Sequence, residues 1–186
     1  MSDASRLDQS QTALLVIDVQ ERLFKVMPDD TRDRSLSRLV ALIAGANALD
    51  LPVICTEQYP QGLGATVAPI QAELGDAPRW PKTSFSCLGD QSIAQAVQET
   101  GRRQWLVAGM ETHICVLQTI RDLREAGHQV HVIADACMSR IPLDYDVGIQ
   151  RARALGATLS STETALFELL GSAGGDAFKT ISRKIR

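Results

Sequence analysis

QWLVAGMETHICVLQTIRDLREAG, residues 104–127, changes its apolar pattern partway along, and that change decides the fold. Residues 104–108 form an apolar run of strand length, whereas Val116, Ile120 and Leu123 recur on one helical face before Gly127 supplies a stop. A strand that feeds a helix through a short polar turn is half of a βαβ unit.

The same alternation extends in both directions from this stretch. Strands are expected at residues 13–17, 52–55, 104–108, 129–134 and 158–160; being mostly apolar rather than alternating, they suit a parallel sheet covered on both faces. Leu36, Leu39, Val40 and Ile43 repeat at i, i+3, i+4, i+7, and further helices are expected at 92–100, 145–155 and 163–170. Parallel strands need such long crossovers. The reading is one α/β domain over residues 1–186, a doubly wound, mostly parallel sheet with helices on both faces in a Rossmann-like three-layer arrangement. Residues 57–88 break the pattern. They carry Pro60, Gly62, Gly64, Pro69, Gly75, Pro78 and Pro81 with Tyr59, Trp80 and Phe85 spread among them, and read as a site-covering loop.

Composition excludes several functions. Net charge is -3, with 19 basic residues interspersed among 22 acidic ones, so there is no basic field for a phosphate backbone and nucleic acid is not expected as a partner. No apolar run approaches bilayer length, and residues 1–11, MSDASRLDQSQ, lack an apolar h-region and read as a loose polar arm. Cys55, Cys87, Cys115 and Cys137 are scattered without a CxxC pair, as free thiols of a reducing compartment would be. A cytoplasmic protein is expected. The basic tail, residues 179–186, reads as a solvated end.

In an open α/β sheet, ligands bind outside the carboxyl ends of the strands, so polar residues there are the ones to weigh. Asp18 follows the run ALLVI and reads either as a helix N-cap or as a site carboxylate. Cys115 falls in the first turn of the helix carrying Val116; a buried cysteine is usually an inert small hydrophobe, but a helix amino terminus lowers a thiol pKa and offers N–H groups to an oxyanion. Lys82 in WPKTSF is an ordinary solvated charge or an ammonium directed by its apolar neighbours.

ALLVIDVQERLF, PKTSFSCL and VAGMETHICVLQTIRDLREAGHQVHVIADACMSR together resemble the isochorismatase-like cysteine hydrolases, over about residues 13–170. TEQYPQGLGAT looks like the branch called isochorismatase domain-containing proteins, related to the nicotinamidases. The resemblance implies that Asp18, Lys82 and Cys115 are catalytic: Asp18 as base then acid, Lys82 as electrostatic support, Cys115 as the nucleophile that forms a thioester. It also implies an oxyanion hole from the backbone N–H groups of Glu111 and Cys115, with a cis peptide between Met110 and Glu111. Glu57, Tyr59, Trp80, Phe85 and Thr112 are candidate substrate-binding residues. A homo-oligomer is implied as well.

Two departures from the family pattern narrow the chemistry. Where nicotinamidases bind a metal through Asp and His after the second strand, this chain has Thr56, Glu57, Gln58 and Tyr59, so no metal and no cofactor are expected and nicotinamide is a doubtful substrate. His128 and His131 are expected at the surface, and His113 is poorly spaced from Cys115 for chelation. Isochorismatases proper typically lack the cysteine, so Cys115 argues for acyl transfer. The expected function is hydrolysis of a small amide or related acyl substrate, an amidase acting on non-peptide carbon–nitrogen bonds. The alternatives are a catalytically inactive binding or scaffolding protein, which has no need of all three residues, and a thiol redox protein, which no CxxC supports.

Overall fold

Thr12–Ile17 (β1) and Gln104–Met110 (β4) are buried at every position, the condition of strands covered on both faces. The computed structural model describes residues 6–185. After β1 come α1 (Glu21–Lys25), α2 (Asp29–Ala48), β2 (Val53–Gln58), α3 (Pro60–Leu63), α4 (Ala68–Leu74) and β3 (Arg79–Lys82). A 3-10 turn at Cys87–Gly89 and α5 (Gln91–Glu99) lead into β4. A π-helical turn, Thr112–Val116, then runs into α6 (Leu117–Glu125), followed by β5 (Gln129–Met138), α7 (Pro142–Ala154), β6 (Thr158–Ser160), α8 (Thr162–Leu170) and α9 (Gly175–Ile185).

The six strands form one parallel sheet in the order β3-β2-β1-β4-β5-β6. The chain winds from β1 outward to β3, returns to β4 beside β1, and winds outward the other way. Connections diverge at the carboxyl ends of β1 and β4, which opens a crevice there. Side chains on opposite faces serve two cores. Leu14, Val16, Leu106 and Ala108 pack with Leu39, Leu42, Leu166 and Ile181 from α2, α8 and α9. Ala13, Leu15, Trp105 and Val107 pack with Ile93, Ile120, Leu123 and Ala152 from α5, α6 and α7. At the crevice itself Gly109 has φ +121°, and a Cβ there would sit 2.1 Å from the Ile17 carbonyl oxygen. Only glycine lets β4 approach β1 so closely beside Asp18.

Several expectations need correction. Strands β2, β4 and β5 run on to Gln58, Met110 and Met138, three, two and four residues beyond the apolar runs expected to end at 55, 108 and 134, because the ladder is made by backbone groups and continues past the apolar side chains. The irregular stretch 57–88 holds α3, α4 and β3, and Lys82 is the last residue of β3 rather than part of a loop. The tail is not a solvated end: α9 buries Ile181, and the Ile185 carbonyl accepts from Arg38 of α2 at 3.1 Å. His131 is buried in β5 because its strand is covered by α8. Within the expected loose arm, Leu7 is buried and its N–H donates to Glu168, while the Asp8 N–H donates to Gln104; the first five residues lie outside the described ones. No helix among the described residues is long and apolar enough to cross a membrane.

Candidate active site

Register alone brings the polar residues of three strands together. Ile17 of β1 pairs with Thr56 of β2, and Gln58 of β2 pairs with Lys82 of β3, so residue 18 emerges beside both. Asp18 has φ +54°, a left-handed conformation that aspartate tolerates better than most residues. It does not cap α1, whose N-cap is Gln20. Instead its Oδ1 accepts from Thr56 Oγ1 at 2.7 Å and its Oδ2 from Lys82 Nζ at 2.7 Å. Both side chains of the ion pair are fully buried.

A buried ion pair carries a desolvation cost that only further hydrogen bonds offset. Lys82 Nζ has those bonds, to Gln58 Oε1 at 2.6 Å and to the carbonyls of Ser84 and Phe85 at 3.2 and 3.1 Å. Gln58 is itself clamped: its N–H donates to Gln20 Oε1 at 2.7 Å, its Nε2 to the Thr83 carbonyl at 2.8 Å, and its carbonyl accepts from Gln20 Nε2 at 3.0 Å. Burial would lower the Lys82 pKa, but the Asp18 carboxylate, with the Cys87 and Cys115 sulfurs beside it, outweighs that and holds it above the ordinary value.

Cys115 lies in the π-helical turn, 5% exposed, with its thiol in reach of both charges. The expectation of a lowered thiol pKa is not met. Burial pushes it up, Asp18 pushes it further through its charge and a hydrogen bond, and the attraction of Lys82 offsets only part. The sulfur thus sits beside a proton acceptor in surroundings that disfavour its charged form. Cys87, wholly buried and 3.8 Å from Thr56 Oγ1, is likewise pushed by burial to about 11.

The Met110–Glu111 peptide is cis, and the Glu111 carbonyl accepts from Ile114 and Val116 N–H at 3.0 and 3.2 Å, closing the turn that carries Cys115. Gly148 of α7 packs against that turn; a Cβ there would be 3.0 Å from the backbone of Thr112 and His113. Thr112 is buried, and its Oγ1 has no partner among the described residues. Glu57 is committed to its own loop, accepting from the Thr66 N–H and Oγ1 at 2.7 Å each. Trp80 packs partly buried against the core that contains Cys115. Tyr59 and Phe85 are each 55% exposed. Their backbones still touch the centre, since the Tyr59 N–H donates to the Lys82 carbonyl at 2.8 Å. Asp135 accepts from the Thr162 N–H and Oγ1 at the start of α8. His113 Nδ1 lies 3.0 Å from Ser139 Oγ. Among the described residues no group of three or more His, Cys, Asp or Glu side chains is placed to hold a metal.

Thr56, Gln58 and Gln20 escaped the reading of the sequence. The signal available for the first two was a strand continuing into polar residues at two-residue spacing, which puts Thr56 and Gln58 on one face. Nothing local marks Gln20. Among the described residues, cavities away from these side chains include one of about 320 Å³ between α2, the end of β5 and α7 and one of about 670 Å³ at the amino-terminal edge of β4 and β5.

Comparison with known proteins fits this geometry. The isochorismatase domain matches residues 12–164. Isochorismatase domain-containing protein 2 of Xenopus laevis is 34% identical over 97% of this chain and 86% of its own length. The secreted isochorismatase effector Isc1 of Phytophthora sojae is 35% identical over 97% and 87%. Among solved structures, one described as the MAR1 ribonuclease of Caenorhabditis elegans superposes with TM-score 0.89 at 32% identity, over 97% of this chain and 92% of that one. The YcaC gene product of Escherichia coli, described as an octameric hydrolase of unknown specificity, gives 0.91 at 26% over 96% and 90%. YcaC from Pseudomonas aeruginosa, solved with hexane-2,5-diol and covalent acrylamide, gives 0.90 at 27% over 96% and 91%. With the domain match spanning β1 to the start of α8 and the parallel sheet shared throughout, the chain belongs to the isochorismatase domain family.

Proposed function

We propose that this chain is a cysteine hydrolase that cleaves a small amide or related acyl compound through a thioester on Cys115. One observation carries the reading: a fully buried carboxylate and ammonium pair at 2.7 Å, with a thiol close enough that both charges act on it. Burying such a pair is costly, and structural stability alone does not call for it. A thiol whose pKa is raised beside the Asp18 carboxylate supports a first proton transfer to Asp18. As Sγ attacks the substrate carbonyl, Asp18 takes the thiol proton and negative charge moves onto the carbonyl oxygen, where the backbone N–H groups of Glu111 and Cys115 serve as donors. Collapse of that intermediate breaks the carbon–nitrogen bond, and Asp18 returns the proton to the leaving amine. A water then attacks the thioester, giving its proton to Asp18, and the acid leaves as the Cys115 thiol is restored. Lys82 holds Asp18 in place and tempers its repulsion of the forming thiolate.

The covalent acrylamide on the Pseudomonas protein supports a nucleophile in the relative's fold. A small molecule, rather than RNA, is the partner proposed here, since 22 acidic residues outnumber 19 basic ones. Four unpaired cysteines support a reducing, cytoplasmic setting for this chain, although one relative is secreted. The octameric Escherichia coli relative and exposed Ile141, Leu143 and Val147 at the start of α7 support a homo-oligomer, which light scattering tests. The function is tested by screening short-chain and aromatic amides against wild type and Cys115→Ala. Turnover in wild type with loss of at least about 1,000-fold in the variant is expected; activity surviving in the alanine variant would remove the covalent mechanism, and a folded wild type that binds but never turns over amides would point to a binding protein.

A further inference from the structure

Cys87 is wholly buried in the same apolar cluster as Cys115, yet its sulfur takes no part in the proposed proton transfers. Its surroundings are polar at two points. The Cys87 N–H donates to Thr119 Oγ1 at 3.0 Å, and Thr119, itself fully buried, stands four residues beyond Cys115, about one helical turn. The Cys87 Sγ lies 3.8 Å from Thr56 Oγ1, whose own partner is Asp18 Oδ1 at 2.7 Å. One residue thus touches both halves of the site: the helix that continues from the turn of Cys115, and the hydroxyl that holds Asp18. The turn that presents Cys87 is pinned just before it, because Lys82 Nζ donates to the carbonyls of Ser84 and Phe85 and Ser84 Oγ donates to the Ser86 carbonyl.

The direction of this chain follows from counting hydrogens. Thr56 has one hydroxyl hydrogen, and Asp18, ion-paired with Lys82, offers it only lone pairs. With that hydrogen committed to Asp18, the threonine oxygen can only accept on its other side, so the Cys87 thiol is the donor. Burial first and the Asp18 charge second push the Cys87 pKa to about 11, surroundings that favour the donating form. The charges acting on this sulfur are those of Asp18 and Lys82, and Cys115 lies close enough that a charge on Cys87 raises its own pKa. We infer that Cys87 is a positioning residue, whose S–H to Thr56 and N–H to Thr119 fix the Asp18 carboxylate relative to the turn that carries Cys115. The inference rests on Asp18 and Cys115 being base and nucleophile, and it goes beyond that reading by giving a second buried thiol a role with no bond-making of its own.

The test reads the rate at which iodoacetamide alkylates Cys115, located by mass mapping, in folded wild type, Cys87→Ala, Cys87→Ser and Thr119→Val, each with Asp18 intact and with Asp18→Asn. With Asp18 in place, Cys87→Ala is expected to raise the rate at a fixed alkaline pH by roughly 3- to 10-fold, the equivalent of one ordinary hydrogen bond, because a loosened carboxylate repels the forming thiolate less. Thr119→Val keeps every sulfur and cuts the link from α6, and should act in the same direction. Cys87→Ser keeps a donor of similar shape and should restore the wild-type rate. With Asp18→Asn, neither Cys87→Ala nor Thr119→Val should have much further effect, since residues that act through Asp18 have nothing left to act on. Increases of equal size in both backgrounds would mean loosened packing or admitted water and would overturn the inference, as would a Cys87→Ala rate equal to wild type or a Cys87→Ser rate equal to that of Cys87→Ala. If Cys87→Ala does not fold, Thr119→Val carries the same comparison. No substrate is needed, so the two readings separate: an Asp18-dependent increase in a protein that never turns over amides would sustain the positioning role and reject the hydrolase, whereas amide turnover without that increase would reject the positioning role alone.

Discussion

Asp18 engages each of its carboxylate oxygens with a different partner, Thr56 on one and Lys82 on the other, so its direction is set by buried residues of the neighbouring strands. Thr56→Val keeps shape and removes the hydroxyl. It is expected to lower kcat by roughly 10- to 100-fold with KM little changed, and to shift the pH profile of kcat, while circular dichroism stays that of wild type. A fall confined to KM, or an unchanged pH profile, would make Thr56 an ordinary strand residue. At this scale the sequence displayed the catalytic candidates plainly, since Asp18, Lys82 and Cys115 each follow or end an apolar segment. Their state was another matter. A helix start suggested a lowered thiol pKa, but the turn is π-helical and the sulfur sits in hydrocarbon beside a carboxylate, so desolvation and repulsion prevail. The partner Gln20 was illegible because its role arises from the register that brings Gln58 of β2 beside it, which no local pattern encodes.

At the scale of elements, the strand-and-helix alternation was readable wherever burial was two-sided, as in β1 and β4, and was lost where composition turned mixed. The strand RWPK is only partly buried and sits at the sheet edge, so it carried no apolar signal, and proline at such a position is tolerated only because the strand is an edge. Helix α9 was missed for a related reason: its basic residues face outward while a single Ile181 is fully buried. The crossing of β1 and β4 is the element-level feature on which the site depends most. Gly109→Ala places a methyl into the Ile17 carbonyl at a backbone angle that favours glycine, so the two strands must part beside Asp18. Destabilisation of about 2–4 kcal/mol in urea unfolding, with loss of activity beyond that explained by the folded fraction, is expected. A variant as stable and active as wild type would show that the close approach is not needed.

For the molecule as a whole, the doubly wound topology explains why residues 18, 82 and 115, distant in sequence, converge at one edge of the sheet: β1 and β4 are neighbours at the point where the winding reverses, and β3 reaches the same edge through β2. Two of the five expected substrate-binding residues, Tyr59 and Phe85, remain largely exposed. The central claim is that a carboxylate and an ammonium act in opposite senses on one sulfur. Alkylation of Cys115 by iodoacetamide, followed by mass mapping from about pH 6 to about pH 11, measures it directly against the free-thiol value of about 8.5. In folded wild type the rate should rise only on the alkaline side of that value; Asp18→Asn should move the rise to lower pH and Lys82→Met to higher pH, since Asp18 raises and Lys82 lowers the thiol pKa. Profiles that coincide in all three folded proteins, or a wild-type thiol that reacts fully near pH 6, would contradict the account.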